Sequence, residues 1–114
     1  MQIKIQGEIE RDPGLSSTIS RASRLLEAQA PPSGANTTAD WELSFDEHRH
    51  PVIKLKLSDR WMADAQAQFS PAELTNEPFL ESRFNWLWGD LLQDRSHKQL
   101  QRLDQLVRQL DEEG

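Results

Sequence analysis

Two carboxylates and two imidazoles stand within five residues at Asp46-Glu47-His48-Arg49-His50. Imidazole and carboxylate oxygens are suitable ligands for a first-row metal. Such a site needs three or four converging ligands held by further hydrogen bonds, and a loop tip between two strands rarely supplies that rigidity. The cluster reads as a solvated turn. His97 lies in Arg95-Ser96-His97-Lys98, with Asp94 close only in sequence. It reads as a polar surface residue. An enzyme using His48, His50 or His97 with nearby carboxylates is the weakest functional reading.

Other chemistry is excluded more simply. No serine stands in Gly-x-Ser-x-Gly or Ser-x-x-Lys. There is no Gly-rich phosphate loop, His-Glu-x-x-His motif or EF-hand spacing. The chain has no cysteine, so thiolate metal sites, disulfides and thiol nucleophiles are unavailable. The sequence assigns no catalytic, cofactor-binding or metal residue, and no cofactor is expected.

The unusual residues are apolar. Trp86 and Trp88 are two apart, so on a helix they point about 200° from each other and cannot share one core. Phe79, Leu80, Phe84, Trp86, Leu87, Trp88, Leu91 and Leu92 exceed what a one-sided amphipathic helix needs. Two explanations compete: a central helix buried on several sides, or a helix with an interface. Further on, Leu100, Leu103, Val107 and Leu110 follow +3, +4, +3 spacing, which fits either a stripe packed onto the same domain or a short coiled-coil seam for self-association. Phe84, Trp86, Trp88, Leu92, Leu103 and Leu110 are the candidate interaction residues.

The elements that position these residues follow from periodicity. Ile3, Ile5 and Ile9 alternate with polar residues, predicting a half-buried first strand in which Gly7 marks a bulge or a close approach of another backbone. Arg11-Asp12-Pro13-Gly14 reads as a turn. Leu15 to Ala30 is helical, with Ser16 or Ser17 as its cap, and Pro31-Pro32 ends it. Pro31 to Asp40 is rich in breakers and is expected to be a flexible loop.

Trp41, Leu43 and Phe45, then Ile53, Leu55 and Leu57, alternate with polar residues and predict an antiparallel hairpin. The expected register sets Phe45 against Ile53, Leu43 against Leu55 and Trp41 against Leu57, with Glu42 facing Lys56. Trp61, Met62, Ala65 and Phe69 are assigned to a short helical turn. Ser70-Pro71-Ala72-Glu73 is a capping box with Pro at the first helical position, and Asn76-Glu77-Pro78 a second helix start. Residues 78–112 are helical. Leu91 and Leu100 lie about 180° apart on a helix, so either one long helix switches its buried face or the chain breaks near residues 94–97; Ser96-His97-Lys98-Gln99 resembles another capping box, which favours the expected break.

The bulk properties fit one α+β domain spanning residues 1–114. This length buries about two-thirds of the unfolded surface without staples. The alternating N-terminus reads as a strand, not as a signal peptide. No apolar run approaches the ~20 residues needed to span a bilayer, and a soluble, cytoplasmic protein is expected. The net charge is −6, with 5 basic and 10 acidic groups in residues 61–114. That acidity disfavours nucleic acid and anionic membrane surfaces as partners.

Met1-Gln2-Ile3-Lys4-Ile5-Gln6-Gly7, followed by a helix and then strands, is similar to the opening of ribosome-hibernation promoting factors. The similarity covers fewer than thirty residues. It implies a basic ribosome-facing surface, from which this acidic chain departs. The expected architecture is therefore read from the residues: β-α-β-β-α(α), a three-stranded sheet covered on one face by helices. The expected function is a non-enzymatic protein-interaction module that associates with itself or with a protein partner through its C-terminal helices. The alternative is a small-molecule-binding domain whose apolar cleft is lined by Trp41, Trp61, Trp86 or Trp88.

Overall fold

β1 (Gln2–Ile5) forms because its isoleucines alternate with polar residues, as expected, but it stops sooner. The computed structural model describes residues 1–113, and in it Gly7–Glu10 is a single helical turn, α1. Ile9 is fully buried from that turn, so its place in the apolar set is kept without a bulge. Gly7 has no crowding neighbour. Asp12, rather than Ser16 or Ser17, caps α2 (Pro13–Ala28): its carboxylate accepts from the N–H groups of Gly14 and Leu15, with Pro13 opening the helix. Ile19, Ala22 and Leu26 are the buried face of α2.

The segment after Pro31 is shorter than the breakers imply. Pro32–Gly34 winds into a 3-10 turn, and β2 (Thr38–Phe45) has already begun three residues before Trp41. β2 pairs in parallel with β1, across the α2 connection. β3 (Pro51–Ser58) returns antiparallel to β2, and β4 (Asp64–Phe69) antiparallel to β3, giving the order β1-β2-β3-β4. The protein is thus α+β as expected, with four strands instead of three.

β4 corrects the helical assignment of Ala65 and Phe69. Ala65, Ala67 and Phe69 are buried while Asp64, Gln66 and Gln68 are exposed, a period of two that helix-friendly Ala and Gln conceal. The hairpin register is also corrected, by two residues. Phe45 faces Pro51, Leu43 faces Ile53, Trp41 faces Leu55 and Ala39 faces Leu57; Glu42 lies opposite Lys54, and Asp40 opposite Lys56. A two-residue slip keeps every side chain on its face, so the apolar pattern alone does not distinguish the registers.

The turn chooses between them. Asp46 accepts at Oδ1 from the N–H groups of His48 and His50, and its own N–H donates to the His50 carbonyl. Arg49 closes the loop in the left-handed region, at φ 62°. A three-residue loop ending in a left-handed residue is a favoured hairpin connection. Asp59 repeats the device between β3 and β4, accepting from Trp61 and Ala63, with Met62 at φ 65°.

α3 (Glu77–Glu113) is one unbroken helix of 37 residues. The expected break near residues 94–97 is absent, and so is the Ser96 cap. The upstream signals do hold. Ser70 and Glu73 exchange reciprocal capping bonds ahead of a 3-10 turn, Glu73–Thr75, and the Asn76 carbonyl oxygen of the side chain accepts from Phe79 N–H. At 1.5 Å per residue, α3 is roughly 55 Å long. The sheet cannot accompany it so far. The radius of gyration is 17.2 Å, against about 13 Å for a compact chain of this length.

The core lies between the sheet and the helices α2 and α3. Trp41, Phe69 and Phe84 form its centre, with ring centroids 5.8–6.4 Å apart. The opposite sheet face carries Lys4, Asp40, Glu42, Lys54 and Lys56. No helix among the described residues is long and apolar enough to cross a membrane.

Candidate functional site

The first half of α3 is built into the core. Leu80, Phe84, Leu87, Trp88 and Leu91 are all buried, facing β4, α2 and the aromatic centre. Trp88 reaches across to α2, where its indole N–H donates to the Leu26 carbonyl at 3.1 Å. Its ring also packs over Gly34, where a Cβ would come within 3.2 Å of the indole. Trp86, two residues earlier, is 70% exposed. The 200° argument separates them as expected: one tryptophan is core, the other surface.

The second half of α3 has no such partner. Leu100, Leu103, Leu106, Val107 and Leu110 are each at least half exposed, from 50% to 69%. Of the six candidate interaction residues, Trp86, Leu103 and Leu110 therefore present apolar surface. Leu92 is half-buried, while Phe84 and Trp88 are core residues with almost no accessible area. The candidate set omitted Leu100 and Val107, although both lay in the same +3/+4 row. It also omitted Leu106, which flanks that row, three residues after Leu103 and four before Leu110.

A polar clamp marks where α3 leaves the body. Arg95 Nε donates to Asp59 Oδ2 at 2.6 Å, with side chains only 14% and 2% exposed, and its Nη2 donates to the Ser33 carbonyl. Asp94 Oδ2 accepts from the N–H of Asp64 at 2.9 Å and pairs with Lys98 at 3.2 Å. Lys98 also donates to the Met62 carbonyl. The N–H of Asp64, then the Lys98 ammonium, hold the Asp94 carboxyl below its ordinary pKa. Polar residues expected to break the helix fasten it to the β3–β4 turn instead.

The other sequence candidates do not converge. His50 and Asp46 are 3.4 Å apart at an exposed tip, and the Asp46 carboxyl is held below its ordinary pKa chiefly by the His50 N–H. His97 lies on the exposed helix beside Gln101. Among the described residues, no group of three or more potential metal ligands is found. The tryptophans share no cleft: Trp41 and Trp88 are buried, Trp86 faces outward, and Trp61 sits at the β3–β4 turn beneath Arg60. A broad, open depression of about 540 Å³ is on the charged sheet face beside Lys4, Asp40, Glu42, Lys54 and Lys56.

The class defined by these elements is a two-layer α+β fold with a projecting helix. The chain matches no family model, no curated protein and no solved structure.

Proposed function

We propose that the protein is a non-enzymatic interaction module that associates with itself through the outward face of α3. One observation carries this reading: Leu100, Leu103, Leu106, Val107 and Leu110 form a continuous exposed apolar row on a helix that the body does not cover. Scattered surface leucines need no explanation, but a contiguous patch of this kind marks interaction sites. Val at one seam position and Leu at the others are residues that knobs-into-holes packing uses. Helical segments of this length are marginal in water without tertiary packing, so a partner would also stabilise the projecting half.

Light scattering across a micromolar dilution series tests the proposal. The expected result is a dimer mass for the full chain that falls on dilution, and a monomer for the Leu103→Asp/Leu110→Asp variant with unchanged thermal unfolding of the body. A full chain that stays monomeric throughout contradicts it.

A further inference from the structure

The helix face that carries the apolar row does not begin at Leu100. Upstream, Ser82, Trp86, Gly89, Gln93 and Ser96 continue the same alternation of +4 and +3 into Leu100, and every one of them is exposed. The residues from Ser82 to Leu110 at this spacing share one outward face of α3, apolar at Trp86 and from Leu100 onward, with Trp86 and Leu100 two heptads apart. Its halves differ in kind. The upstream half is one large ring among small or polar side chains, and the downstream half is leucine and valine.

Gly89, in the interior of α3, is not explained by packing within its own chain. A Cβ there would meet nothing within 4 Å, so no internal packing requires glycine, although glycine weakens a helix interior relative to alanine. A neighbour from outside the chain gives the missing side chain a purpose. A large residue seated over Gly89 needs that space.

Resting on the self-association reading, we infer that two copies pair antiparallel along this face, about a two-fold axis near residue 98. Each leucine-rich half then covers the other copy's upstream half. Trp86 meets the partner's Leu110, Gly89 meets the partner's Val107, Gln93 the partner's Leu103, and Ser96 the partner's Leu100. The contact is self-complementary, as a two-fold interface must be. Beside the seam, half-buried Leu92 falls next to the partner's Leu106, which accounts for a leucine outside the heptad row. Arg83 falls next to the partner's Asp111, an opposite-charge pair. Asp90 approaches the partner's Asp104, a like-charge pair moderated by the Arg108–Asp104 bridge within each chain, 3.2 Å long.

Parallel in-register pairing serves the same residues less well. It stacks Gly89 on its own copy, Gln93 on Gln93 and Trp86 on Trp86, and it sets Leu106 against the partner's Asp111. Small faces small and large faces large, leaving the upstream half poorly filled.

The absence of cysteine allows single labels to be introduced cleanly. Full chains spin-labelled at Gln101→Cys or at Gln109→Cys report pair distances by electron–electron dipolar spectroscopy. Antiparallel pairing about residue 98 offsets the two Gln101 labels by about 9 Å along the helix axis and the two Gln109 labels by about 33 Å, from the 1.5 Å rise per residue, so with the sideways separation of the helices included the Gln109 distance is longer by roughly 15 Å. Equal distances in a dimeric sample overturn the orientation and leave self-association standing. No coupling at either site, in a sample of monomer mass, overturns both.

Discussion

Leucine has two fates in α3. Leu80, Leu87 and Leu91 are sealed against the sheet and α2, whereas Leu100, Leu103 and Leu110 stand in solvent on the same helix. Spacing is similar in both halves, and nothing in either row alone says which is core. The difference comes from what lies opposite. The sheet offers an apolar face up to the β3–β4 turn, and there Asp59, Asp64 and the Met62 carbonyl bind Arg95, Asp94 and Lys98. Past that clamp the apolar row has rotated to the far side and the body has ended. A leucine row is evidence of a partner, internal or external, and tertiary structure decides which.

Paired substitutions across this divide sharpen the comparison. Trp88→Ala should lower unfolding stability by about 3–5 kcal/mol, since it removes a buried ring and leaves a cavity. Trp86→Ala should alter it by no more than about 0.5 kcal/mol in the monomer. Urea denaturation of dilute protein measures both. Comparable losses from the two would erase the distinction between core and surface.

The clamp ranks next. Arg95→Ala leaves the nearly inaccessible Asp59 carboxylate without its cation, and breaking such a buried pair costs about 3 kcal/mol. The same denaturation experiment reads it, and a change below about 1 kcal/mol would mean that the pair merely decorates the rim.

A smaller effect should appear at acid pH. The folded Asp94 carboxyl titrates below the ordinary value of about 4 that it regains on unfolding. Its contribution is therefore present above pH ~4 and is lost as pH falls through the depressed folded value. Asp94→Asn should remove this part of the acid limb, making stability less steeply dependent on pH below about 4. An unchanged acid limb would show that the carboxylate gains nothing from Asp64 and Lys98.

Much of the architecture was legible in the residues. The period-two runs located β1, β2 and β3, the Pro31-Pro32 stop ended α2 to within a few residues, and Ser70 and Asn76 announced the helical turns they cap. The failures have physical causes. β4 was hidden because Ala and Gln favour helix on average, while its alternation becomes visible only once a sheet edge at β3 is there to receive it. The hairpin register escaped because the turn's left-handed residue is Arg49, where glycine would have signalled it; Met62 conceals the second turn in the same way. α3 looked broken at residues 94–97 because polar residues that form long-range contacts resemble those that cap helices.

The candidate surface was legible in part. The 200° separation of Trp86 and Trp88 required one of them to leave the core, but only packing against Leu26 and Gly34 selects Trp88 as the buried one. The +3/+4 leucine row was plain, while its exposure depended on how far the sheet extends. Leu106 and Gly89 acquire meaning only when the whole face of α3 is seen at once.

Hydrogen exchange followed at several protein concentrations tests the central claim most directly, because it separates the two halves of one helix. Amides near Leu80–Leu91 should be protected at every concentration, and those near Leu100–Leu110 should gain protection as concentration rises through the micromolar range. Protection of the second half that does not change with concentration would contradict self-association through α3.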